Sequence, residues 1–188
     1  MRFSSPLPRI AAVAAVASFA LLSGCTTYVA SVSKDPGYNQ PLANTFVVWI
    51  PGGKLNIKTS RPASRSITPS DLDNSRVAGV QLQSLFAGHA PKTIAKALAE
   101  SRVVIAESRD AAATELTITP THMALDCAQV GCQHAIWVQA SLRDKALKKE
   151  VWSGSFKAGA PYPMPHSDTI ITNFTTTLVD QLKKASLL

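Results

Sequence analysis

The sequence predicts an α+β fold: a mostly antiparallel sheet with two main helices packed on one face. Three observations predict it. Glu115–Thr119 and Ile136–Leu142 alternate apolar with polar side chains, the period-two signature of half-buried strands. Val151-Trp152-Ser153-Gly154-Ser155-Phe156 comes back after a polar stretch, Asp144–Lys149, so three consecutive strands form an antiparallel meander. Two other stretches, one after Pro91 and one at the C-terminus, carry the helical period instead.

The elements follow in order. Phe46-Val47-Val48-Trp49-Ile50 is a short run of β-branched and aromatic residues and reads as a buried strand. Pro51-Gly52-Gly53 is turn punctuation, with Leu55–Lys58 as the return strand of a hairpin. Gly52-Gly53-Lys54 lacks the spacing and the following Ser or Thr of a phosphate-cradling loop. Thr59–Arg76 is polar, contains Pro62, Pro69, Arg61 and Arg65, and reads as an exposed loop. Val77–Phe86 fits either period. Pro91 suits a first helical position, and Ile94, Ala95 and Leu98 then share a face opposite Lys92, Lys96 and Glu100, in a helix running to about Ser101. Arg102–Glu107 reads as a strand through Val103, Val104 and Ile105.

In the meander, Leu116 and Ile118 point inward, Pro120 bends the strand, and Met123 and Leu125 continue its apolar side. Pro161, Pro163 and Pro165 close off the sheet. The last helix is capped by Ser167 or Asp168 and has Ile170, Ile171, Phe174, Leu178 and Leu182 as its buried stripe, with Lys183 and Lys184 where the helix dipole favours cations. Thr172, Thr175, Thr176 and Thr177 are poor helix formers, but burial of the stripe supplies most of the stability, and Thr175 is expected to point away from it.

The leader is the most informative segment for function. Arg2 and Arg9 form a positive region ahead of Ile10–Leu22, an apolar run broken only by Ser18. The run is shorter than the ~20 residues needed to span a bilayer and reads as the core of a signal peptide. It ends in Leu22-Ser23-Gly24-Cys25, which resembles the lipobox of bacterial lipoproteins. That resemblance implies cleavage between Gly24 and Cys25 and acylation of Cys25, and several acyl chains give stable membrane attachment. Thr26 in place of Asp after the cysteine implies, by the same resemblance, the periplasmic side of the outer membrane. The organisation expected is a signal peptide at 1–24, a flexible tether at 25–43 rich in Ser, Pro, Gly and Asn, and one domain at 44–188.

The chain has a net charge of +7; Arg2 and Arg9 leave with the leader, which takes the mature chain to +5. A basic surface suits anionic lipid, lipopolysaccharide phosphate or nucleic acid. An envelope address makes nucleic acid the weakest of these, and no nucleic-acid partner is expected.

Cys127 and Cys132 flank the turn between two strands, and in an oxidising compartment a disulfide is the preferred reading. A zinc site that added His122 and His134 to the pair has no familiar spacing. The four histidines, His89, His122, His134 and His166, stand in no triad motif, and the acidic residues are scattered singly. The expectation is a non-enzyme with no catalytic residues, no metal and no cofactor.

From the helix before Val103-Val104-Ile105, through Ala112-Ala113-Thr114-Glu115-Leu116, to the hairpin ending in Val151–Phe156, the order of elements resembles a group of small envelope domains. The group comprises the lipopolysaccharide-assembly lipoprotein, the auxiliary lipoproteins of lipid-transport ABC systems, and the curli-secretion and TolB N-terminal domains. The likeness spans Pro91–Leu188 and implies an accessory subunit that docks to an envelope protein. The alternative is a small-ligand or glycan-binding module, hydrolytic or not, with Trp49, Trp137 or Trp152 as a platform; core packing is the expectation for at least two of the three.

Overall fold

The computed structural model describes residues 26–129, 131–160 and 167–188. The lipobox, Pro161, Pro163 and Pro165 lie outside the described residues. The elements run β1 (Thr26–Lys34), β2 (Thr45–Trp49), β3 (Ile57–Ser60), α1 (Pro69–Glu100), β4 (Thr114–Ala128), β5 (Gly131–Asp144), β6 (Lys149–Ala160) and α2 (Ser167–Lys184). One sheet has the order β1-β6-β5-β4-β2, with β3 also on β4. The β4–β5–β6 meander and the β1–β6 pair are antiparallel, so the α+β class holds. Both helices cover one face. Leu116, Ile118, Ile136, Val138 and Leu142 point into that layer and are fully buried.

An aromatic chain joins the layers: Trp49 lies 5.6 Å from Phe86, Phe86 5.2 Å from Phe174, and Phe174 5.4 Å from Phe156. It ties β2, α1, α2 and β6 into one core. Ile170, Ile171, Phe174, Leu178 and Leu182 form the buried stripe of α2, as its periodicity requires. Thr175 does not point away from the core. It is buried beside the stripe, because α2 is covered on a wider arc than the five apolar positions mark.

Four further readings are corrected. The stretch taken for a flexible tether is largely structured: Thr26–Lys34 pairs along β6, and Tyr38 and Leu42 are buried. The Tyr38 hydroxyl donates to Asp144 Oδ2 at 3.2 Å, and the Leu42 N–H donates to the carbonyl of Leu187. β1 escapes a search for apolar period because 28–33 are all exposed, so backbone pairing rather than side-chain burial holds it.

The second correction concerns β2 and β3, which do not form a hairpin. Both lie parallel to β4, β2 on Thr114–Ile118 and β3 on Met123–Asp126, as one edge strand interrupted in the middle. The interruption sits beside Pro120, which has no N–H for the ladder, and beside the β4 bulge between Pro120 and His122. The Ile50 N–H still reaches the Ile118 carbonyl, and the Met123 N–H reaches Asn56, but the chain between loops outward.

Third, the 59–76 loop ends early and the helix does not begin at Pro91. α1 starts at Pro69 behind a capping box: the Asp71 N–H donates to Thr68 Oγ1, and the Thr68 N–H donates to the Asp71 carboxylate. Its buried stripe, Ala78, Leu82, Phe86, Ala90, Ile94 and Leu98, passes straight through Pro91. Fourth, Arg102–Glu107 forms no strand; Ile105 makes a single parallel bridge to Thr45.

Candidate functional site

The loop thrown out beside Pro120 builds a cleft. Gly52 packs against β4 so closely that a Cβ there would meet the Pro120 carbonyl oxygen at 2.5 Å, so the loop can take this path only with glycine. Gly53 follows with φ +65°, the left-handed region. Across the cleft, α1 approaches β4 through Gly79, where a Cβ would stand 3.1 Å from Met123 Cγ. Between loop and helix lies a space of about 570 Å³. Leu55, Ile57, Leu72, Val80 and Met123 make its apolar wall, and Lys54 and Arg76 supply positive charge. No Asp or Glu is among its lining residues. Val80 is 64% exposed, so the wall opens to solvent along the helix. The Arg76 guanidinium pairs with Asp73, one turn back on the outer surface of α1.

The other sheet face carries a polar patch. In register across the strands stand Tyr28, Lys157, Trp137 and His122. The His122 ring stacks on the Trp137 indole at 5.2 Å and 15°. Burial, then Lys58, pushes the His122 imidazole below its ordinary value. Lys157 is paired with Asp126. Of the three tryptophans, Trp152 is buried, Trp49 packs on Phe86, and Trp137 alone stands on this open face. One face of its indole is already taken by His122, which weakens it as a platform for a sugar ring.

Cys127 and Cys132 are joined by a disulfide and are direct partners in the β4–β5 register. The hairpin tip is clasped to the start of α1: Arg65 donates to the Ala128 carbonyl at 3.2 Å and lies 3.8 Å from Asp71. The Thr68 backbone and side chain hold the Asp71 carboxyl below the ordinary range. His134 is buried on the helix side near Asp71, whereas His122 is on the opposite face of the sheet, so the two histidines do not converge on the cysteines. Burial lowers the His134 value, with Asp71 opposing. His89 is exposed on α1. Among the described residues no group of His, Cys, Asp and Glu has a metal-holding arrangement, and no helix is long and apolar enough to cross a membrane. Gly24, Cys25 and His166 lie outside the described residues.

Sequence reasoning missed the cleft. Residue order alone puts Gly52-Gly53-Lys54 in a hairpin turn and Arg76 in a loop. Thr68-Pro69-Ser70-Asp71, a capping residue, a proline at the first helical position and an acid at the third, was the signal that would have put Arg76, Gly79 and Val80 on one helix.

No family model and no curated protein matches the chain. Among solved structures it is similar to a single-substitution variant of the PelC dodecamer from Paraburkholderia phytofirmans, at 17% identity, covering 81% of this chain and 95% of that one, with a TM-score of 0.40. It is also similar to XCC0632 from Xanthomonas campestris, of DUF330, at 11% identity over 83% and 88% of the two chains, TM-score 0.38. Lipoprotein GNA1162 from Neisseria meningitidis matches at 15% identity over 76% and 99%, TM-score 0.31. At these scores the likenesses carry no functional argument.

Proposed function

We propose that the chain is a membrane-anchored lipoprotein of the cell envelope, held by acyl chains on Cys25 in the outer membrane and facing the periplasm, where it acts as a non-catalytic accessory subunit docked to a larger assembly. The observation that carries this reading is the start of β1 at Thr26, one peptide bond beyond the cysteine of the lipobox. With no slack between them, the anchor and an edge strand are presented together at the bilayer surface. Among the described residues β1 pairs with β6 alone, and Tyr28 and Val32 are 60% and 41% exposed. An edge of this kind accepts a further strand from a partner.

The anchor is tested by Cys25→Ala. The variant is expected to incorporate no labelled palmitate and to accumulate as an unlipidated precursor or a soluble product, and labelling at the wild-type level would remove the assignment. For docking, a photo-crosslinking residue at Val32 in intact cells is expected to give a discrete protein adduct that the same residue at exposed Glu107 does not. Identical patterns at the two positions would refute the edge as the contact.

A further inference from the structure

We propose that the cleft between the β2–β3 loop and α1 binds a single-chain anionic amphiphile, its acyl chain along Leu55, Leu72, Val80 and Met123 and its head group on Lys54 and Arg76. This goes beyond the accessory role and does not depend on it. The space, about 570 Å³, lies within the usual range for a small-molecule site. Leu72, Arg76, Gly79, Val80 and Gln83 follow one face of α1 over about three turns, roughly 16 Å at 1.5 Å per residue, which makes the space a trough rather than a hole. A trough with an apolar floor suits an extended hydrocarbon chain.

The charge selects the head group. Two cations and no carboxylate line the cleft, so a negative group gains where a positive one is repelled. Arg76 is available to it: its pair with Asp73 is solvent-exposed, with side-chain exposures of 60% and 69%, and such pairs contribute little. The glycines at 52 and 79 shape the space, one by fixing the loop on Pro120 and the other by letting α1 settle closely on Met123 at its floor.

The ligand is a separate molecule and not the chain's own anchor. β1, next to Cys25, and β3, at the cleft, are opposite edges of the sheet, separated by β6, β5 and β4. Four interstrand spacings put them about 19 Å apart. Binding therefore persists when the anchor is absent.

The test uses the full chain carrying Cys25→Ala and the fluorescent probe 11-(dansylamino)undecanoic acid. Saturable fluorescence enhancement is expected, reversed by dodecanoate or dodecyl phosphate and not by dodecyltrimethylammonium at tenfold higher concentration. Whichever of the two anions competes better identifies the head group as carboxylate or phosphate. Lys54→Gln with Arg76→Gln is expected to weaken the probe at least tenfold. Val80→Trp, at an exposed position, is expected to do the same by filling the trough, with an unchanged melting temperature. Absence of saturable binding, equal displacement by the cationic amphiphile, or wild-type affinity in both variants would overturn the proposal.

Discussion

Phe174 sits where both helices meet the sheet, fully buried and in edge contact with Phe86 and Phe156. Phe174→Ala is expected to cost about 3–5 kcal/mol, a large share of the stability of one domain, read as a lowered thermal midpoint. Its neighbour Thr175 behaves differently from the sequence expectation. Its hydroxyl is buried with no hydrogen-bond partner among the described residues. Thr175→Val keeps the shape and removes that hydroxyl, so it is expected to leave the melting temperature unchanged or raise it by the equivalent of about 1 kcal/mol. A clear loss would mean that the hydroxyl is satisfied in solution. Glu115 carries the acid sensitivity at this scale. The Arg109 guanidinium, which donates from Nε at 2.7 Å, holds the Glu115 carboxyl below its ordinary value. A carboxyl that titrates lower folded than unfolded contributes stability above the ordinary carboxylate range and loses it as pH falls through the folded value. Glu115→Gln should therefore lower the midpoint at neutral pH and flatten its fall into acid. An acid limb identical to wild type would rule the pair out as a contributor.

At the scale of elements, α1 shows local rules overridden by burial. A proline inside a helix loses one backbone hydrogen bond and crowds the preceding turn, so Pro91 looks locally like a start. The stripe from Ala78 to Leu98 holds the chain helical through it. Pro91→Ala is then expected to stabilise, by up to about 3 kcal/mol, measured by denaturant midpoint. If it destabilises, the proline sets a bend that the stripe needs. The meander was legible because β4, β5 and β6 bury one side each, so alternation appears directly in the residue order. The β2–β3 edge was not, because Pro51-Gly52-Gly53 is equally good punctuation for a reversal and for a loop that continues forward; the choice is made by Pro120 on β4. The disulfide across the β4–β5 turn closes a short loop, and reducing it is expected to cost about 2 kcal/mol by chain entropy. Equal midpoints with and without reductant would show that the clasp of Arg65 on Ala128 holds the hairpin unaided.

For the whole molecule, the consequential finding is that Thr26–Lys34, expected as tether, is an edge strand of the sheet. Deleting residues 26–34 from the full chain carrying Cys25→Ala is expected to lower the thermal midpoint strongly, since β6 loses its partner on one side and the Ala185 carbonyl loses the hydrogen bond from Lys34. A true tether could be removed without effect, and that result would detach β1 from the stable core. The topology also sets β1 and the basic cleft at opposite edges of one sheet, so an attachment ahead of β1, as proposed above, would leave the cleft facing away from it.

The order of residues was enough for the class of fold, the meander and the terminal helix, because each is written in a local period. It was not enough for β1, the parallel β2–β3 edge, the length of α1 or the cleft. Those depend on pairings between residues far apart in sequence: Val29 with Phe156, Ile57 with Met123, Gly52 on Pro120, Gly79 on Met123. An exposed edge strand has no apolar rhythm to read, and a glycine announces freedom without saying what will approach it. Only the folded neighbour supplies the other half of each contact.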